Sequence, residues 1–168
     1  MSRRIRHRTE FGHPAQRVHA ALTDERCLRE RLSTIGGRLS ELLSYRADGG
    51  KTTVVMRQSI DAEDLPGIVR RVAPDGVTIE RTEIWMAGHN GGYHGTAEAA
   101  VSGFNGSMHG TTTLADIAAG CEYLLSGQVK VGIPLIGGKI EEVVAEQLDR
   151  LLRTEARFTN RWLESQQG

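Results

Sequence analysis

Between residues 36 and 133 apolar and polar positions alternate with a period of two, and the alternation is broken by turn signals. The signals are Asp48-Gly49, Asp75-Gly76, Asn90-Gly91, Asn105-Gly106 and Ala119-Gly120. Asn-Gly and Asp-Gly suit tight hairpins because both central residues of a type I′ turn need positive φ. Between them lie runs rich in Val, Ile, Thr and Tyr: Arg38–Ala47, Lys51–Ile60, Val77–Met86, Tyr93–Ser102, Ser107–Ala118 and Glu122–Val131. This pattern predicts an antiparallel meander of six strands, with Arg4–Phe11 as one more at the front.

The period changes at both ends of the chain. Pro14–Leu22 and Asp24–Ile35 read as short helices, the second capped by Asp24 and stopped by Gly36-Gly37. Ile136–Glu164 carries Ile140, Val143, Val144, Leu148, Leu151, Leu152, Phe158 and Trp162 at helical spacing. It predicts a helix of roughly 43 Å with one face on a core.

Hairpin register then assigns faces. A two-residue turn near Asp48-Gly49 or Gly49-Gly50 places Leu39, Glu41, Leu43 and Tyr45 with Val54, Met56, Gln58 and Ile60. A turn at Asn105-Gly106 places Tyr93, Gly95, Ala97, Ala99 and Val101 with Met108, Gly110, Thr112, Leu114 and Asp116. A turn at Ala119-Gly120 adds Tyr123, Leu125, Gly127, Val129, Val131 and Ile133, with Tyr123 opposite Asp116. In each case turn chemistry and apolar alternation select the same inner face. Arg81, Glu83 and Trp85 share a parity with Val77 and Ile79, but the loop Gly88–Gly92 leaves the side of that strand open. Glycines 95, 110 and 127 inside strands mark bends or close backbone approach.

Polar groups on this inner face, together with Gln147 and Glu155 in the helix stripe, are costly in a dry core. They point to a ligand-filled or wetted cavity between sheet and helix. The side chains expected to line it are Leu43, Tyr45, Val54, Met56, Gln58, Arg81, Glu83, Trp85, Thr112, Leu114, Asp116, Tyr123, Leu125, Gln147, Leu151 and Glu155.

Composition narrows the classes. A chain of 168 residues is one domain's worth, spanning 1–168. Lys+Arg and Asp+Glu both total 21, so the net charge is zero, which argues against a nucleic-acid partner and a polybasic membrane anchor. No apolar run approaches the ~20 residues needed to span a bilayer. The basic N-terminus has no apolar stretch after it, so it is not read as a secretory signal. Cys27 and Cys121 form neither a disulfide framework nor a metal spacing, which suggests a reduced, cytoplasmic protein. His89, His94 and His109 do not converge, and no metal or other cofactor is expected. The stretch Gly132–Ile140 lacks the register and the hydroxyl of a phosphate-binding loop.

The order strand, two short helices, antiparallel meander and long final helix is an α+β, helix-grip layout. The stretch Phe11-Gly12-His13-Pro14-Ala15, followed by Val18, Ala21, Leu22 and Asp24, resembles the N-terminal signature of the START-like superfamily. That superfamily includes the polyketide cyclase/dehydrase-like proteins. Val131-Gly132-Ile133-Pro134, continuing through Gly137-Gly138-Lys139-Ile140, resembles the entry to the last helix in an uncharacterised actinobacterial branch of it. The resemblance implies a seven-stranded sheet gripping the C-terminal helix around a hydrophobic cavity. It carries over no catalytic residue. The expected function is non-catalytic binding of a small hydrophobic molecule (lipid, isoprenoid or polyketide-like) by a monomer or homodimer. The alternative is a cyclase- or dehydratase-type enzyme using Glu41, Asp116 with Tyr123, or Glu155 as cavity acids and bases.

Overall fold

The computed structural model describes residues 2–167. Strand β1 (Arg3–Phe11) leads into helices α1 (Ala15–Leu22) and α2 (Glu25–Ile35). Strands β2 (Glu41–Asp48) and β3 (Lys51–Ile60) follow, then a short helix α3 (Gly67–Val72). Strands β4 (Val77–Ala87), β5 (Tyr93–Ser102), β6 (Gly106–Ile117) and β7 (Gly120–Val131) complete the meander before α4 (Gly137–Ser165). The seven strands form one antiparallel sheet in the order β1-β7-β6-β5-β4-β3-β2.

Local chemistry sets the boundaries. The Asp24 carboxylate accepts the Cys27 N–H at 2.8 Å and caps α2. At α1 the cap comes from across the fold: Ala15 N–H donates to Asp116 Oδ1 at 2.8 Å. Gly37, at φ +90°, lets the chain leave α2. At the start of α4, the buried Glu141 carboxylate accepts the Val131 N–H at 3.0 Å and ties the helix to the end of β7.

Three hairpin registers differ from the sequence expectation in instructive ways. Gly49 and Gly50 both have positive φ, so Tyr45 sits opposite Val54 as expected. A bulge between Leu42 and Ser44 then shifts the strand by one residue. Leu42 faces Met56 and is buried, whereas Leu39, Glu41 and Leu43 turn outward into solvent. Between β5 and β6 the loop is Ser102–Asn105, with Val101 opposite Gly106. Between β6 and β7 the turn is Ala118-Ala119, which puts Tyr123 opposite Leu114 and Asp116 opposite Cys121. Both of these shifts are even, so the expected inner face survives, because side chains alternate with period two.

The segment between β3 and β4 was not expected to be helical. Pro66 opens α3, and Leu65 and Val69 are buried beneath it. Asp75-Gly76 therefore joins α3 to β4 and is not a hairpin turn, although Gly76 does take a positive φ of 91°.

The strand glycines mark close approach. A Cβ on Gly95 would overlap the Ile84 carbonyl oxygen, and one on Gly127 would overlap that of His109. A Cβ on Gly110 would lie 2.7 Å from the Ser126 carbonyl oxygen. With Ala97 and Ala99, they leave the middle of the sheet bare of bulk. No described helix is long and apolar enough to cross a membrane.

Candidate functional site

A cavity of about 330 Å³ lies between the inner face of the sheet, α3 and α4. Its volume falls within the range of roughly 300–1,000 Å³ typical of small-molecule sites. Sequence explains the space. Ala97 and Ala99 of β5 project almost nothing toward α4, while branched residues from β4, β7 and α4 form the walls, among them Ile79, Val129, Val143 and Val144. Leu65, just before α3, and Val69 of α3 close one side. Exposed Asp64 and Arg150 also border the cavity, where it meets solvent.

The inner end is polar. Arg81 of β4 faces inward and is buried, which settles the side of that strand. Its Nη1 donates to Glu155 Oε2 at 2.6 Å and to Gln58 Oε1 at 3.1 Å. Its Nη2 donates to Glu155 Oε1 at 3.1 Å and also to Glu83 Oε1. Arg31 of α2 lies behind, with Nε 3.8 Å from Glu155 Oε2 and Nη2 3.4 Å from the Met56 sulfur. Two buried cations thus meet two carboxylates, the pairing that makes buried charge tolerable.

The electrostatics follow from this packing. Burial alone would raise the Glu155 carboxyl, but Arg31 and Arg81 outweigh it and hold its pKa at about 2. Burial works against the Arg81 charge too, yet Glu155 and Glu83 raise its pKa overall. Burial pushes the Tyr123 hydroxyl up, with a further push from nearby Glu83. Behind the network is a void of about 30 Å³, lined by Arg31, Glu83, Trp85, Tyr123 and Thr159 among others. That is room enough for an ordered water, which needs roughly 10–15 Å³.

The expected site residues separate into groups. Gln58, Arg81, Glu83, Tyr123, Leu125, Gln147 and Leu151 line the cavity. Trp85 and Glu155 line the small void behind it. Val54 and Met56 are solid core packed against Leu28 and Leu32 of α2. Leu114 belongs to the core around Phe11 and Val18, and Tyr45 donates its hydroxyl to the Thr23 carbonyl. Thr112 is buried with its hydroxyl unpartnered among the described residues. Leu43 is exposed outside the bulge, and Asp116 is an exposed helix cap. Glu41 lies on the exposed edge strand, paired with Arg57.

Two features were missed from sequence. Arg31 reads as a surface charge, yet Cys27, Leu28 and Leu32 are buried on the same stripe of α2 and its spacing places it with them. The lining from α3 was missed with the helix itself.

Comparison with other proteins agrees with the architecture. Residues 6–163 match the family described as "Protein of unknown function (DUF2505)". An uncharacterized protein of Mycobacterium tuberculosis, Rv0481c, is 26% identical over 161 residues, covering 92% of each chain. The crystal structure of TTHA0849 from Thermus thermophilus superposes with a TM-score of 0.65 at 16% identity, covering 99% of this chain and all of that one. Human STARD10 superposes with a TM-score of 0.63 at 12% identity, covering 98% of this chain and 66% of that one. These likenesses show a START-like, helix-grip fold.

Proposed function

The chain belongs to the DUF2505 family, and on that footing we propose that it binds a small hydrophobic molecule non-catalytically in the cavity between sheet and α4. The observation that carries this reading is the cavity itself: about 330 Å³ and lined mainly by apolar side chains, with a few polar ones among them. Transfer of an apolar skeleton into such a site is favourable by roughly 25 cal/mol per Å² removed from water. The buried polar groups then fix its orientation. Lipids, isoprenoids and polyketide-like compounds have the required character.

The carboxylates expected from sequence to serve a cyclase or dehydratase, Glu41, Asp116 and Glu155, do not line this space. Glu41 and Asp116 face solvent, and Glu155 is held ionised by two arginines. A general acid or base works best with a pKa near the operating pH. A carrier or sensor is therefore the better reading. The unpaired cysteines suit a reduced compartment such as the cytoplasm. The protein acts as a monomer or homodimer, without nucleic acid or stable membrane anchoring.

Native mass spectrometry of freshly purified protein, followed by organic extraction, tests this. The expected result is an extra mass that is lost on extraction and identified as an apolar compound. An unliganded protein that also fails to take up any of a panel of neutral apolar compounds would refute the proposal.

A further inference from the structure

We infer that the inner end of the cavity selects an uncharged, hydroxyl-bearing head group, so that the preferred ligand is a neutral alcohol or phenol on an apolar skeleton. This rests on the cavity being a binding site and adds the chemistry of its occupant's polar end.

The argument begins with charge. Arg31 and Arg81 are balanced by Glu83 and Glu155. The network is neutral as it stands, and it sits where charge is poorly solvated. A ligand carboxylate would add an uncompensated negative charge beside Glu83. A ligand ammonium would add an uncompensated positive one beside Arg81. Either is costly in a dry site.

Hydrogen bonding then distinguishes among neutral groups. Both terminal nitrogens of Arg81 are already engaged, and both Glu155 oxygens accept from them. Arg81 offers the ligand little, so the usual reason for an arginine to hold an acid is absent. At this end Glu83 and Tyr123 have capacity left, as does the Gln58 amide nitrogen, which only donates. Glu83 uses Oε1 for Arg81, and its Oε2 has no partner among the described residues. The Tyr123 hydroxyl likewise has none, and its raised pKa keeps it protonated. A carboxylate oxygen only accepts, so it needs a donor. A phenol both donates and accepts. A ligand hydroxyl meets both needs, donating to Glu83 and accepting from Tyr123. An ether or ester oxygen accepts only and leaves Glu83 Oε2 unmatched.

Displacement of a neutral fluorescent probe, N-phenyl-naphthylamine, by decanol, its methyl ether, decanoate and decylamine tests this at about pH 7, where the acid and the amine are charged. Decanol is expected to bind about tenfold more tightly than the ether, the worth of one hydrogen bond to a charged group. It is expected to exceed decanoate and decylamine by at least that factor. Glu83→Gln gives the network a net positive charge, so the preference for decanol over decanoate should shrink by about tenfold. Tyr123→Phe should weaken decanol by about fivefold. Decanoate binding as tightly as decanol to the native protein would overturn the inference, and so would equal affinity for decanol and its ether. If the probe itself does not bind, the underlying proposal of an apolar ligand site fails instead.

Discussion

Arg81 on β4 and Glu155 on α4 are joined by two parallel hydrogen bonds of 2.6 and 3.1 Å, so a buried fork of charge locks the long helix to the middle of the sheet. The two residues are 74 positions apart in sequence. Their pairing fixes which turn of α4 lies over β4, and with it the inner end of the cavity.

This pair should set the acid limit of the fold. The Glu155 pKa is depressed in the folded protein, to about 2 from an ordinary 4.5. Its contribution is therefore present above about pH 4.5 and is lost as pH falls toward 2, an amount of about 3 kcal/mol. Urea unfolding of the native protein and of Glu155→Gln, followed between pH 6 and pH 3, checks this. At neutral pH the variant should be less stable by about 3–5 kcal/mol, because two buried arginines are left with one carboxylate. The difference should narrow as the solution is acidified. A constant difference across that range would show that Glu155 does not carry the effect.

Filling the cavity should separate binding from stability. Ala99 lines the cavity, and a phenylalanine there would occupy space that is otherwise free for a ligand. Ala99→Phe is expected to change stability by less than about 1 kcal/mol, below the usual cost of ~1–3 for overpacking a full core. A destabilisation well above that range would mean that this part of the fold is solid.

The glycines give opposite predictions according to their surroundings. Gly95→Ala drives a methyl group into the Ile84 carbonyl and should cost at least about 2 kcal/mol. Gly138, in the first turn of α4, has open space around its would-be Cβ. Gly138→Ala should instead stabilise by about 0.5–1 kcal/mol through helix propensity. Thermal unfolding of the two variants resolves the sign of each.

Leu135 has a φ of +70° and a fully exposed side chain in the turn before α4. An L-residue in that conformation costs about 1–2 kcal/mol relative to the right-handed region, and no burial offsets it here. Leu135→Gly should raise the melting temperature by a few degrees. A drop would mean that the leucine makes stabilising contacts.

Much of the architecture was legible because side-chain alternation tolerates an even error in register. The turn after β5 and the turn after β6 were both misplaced, yet Ala97, Tyr123 and Leu125 fell on the correct face. The odd shift at the Leu42–Ser44 bulge had no such protection, and it moved Glu41 and Leu43 outside. No turn residue signals that bulge; only the energetic need to bury Leu42 against Met56 does. The helix α3 is shorter than two turns, too short for periodicity to reveal. The charge network was half visible. Arg81, Glu83 and Glu155 stood out as polar residues at apolar positions, but their convergence depends on how α4 crosses the sheet. Arg31 was hidden because a long charged side chain is usually solvated, and only the stripe of Cys27, Leu28 and Leu32 around it shows otherwise.

The central claim is that the space between sheet and α4 is a binding site. Its most direct test is a fluorescence titration of N-phenyl-naphthylamine into the native protein and into Ala99→Phe, with folding verified by circular dichroism. The account predicts saturable binding at a single site in the native protein, and loss of that binding in a variant that remains folded. Binding that survives unchanged in folded Ala99→Phe, or no binding to the native protein, would contradict it.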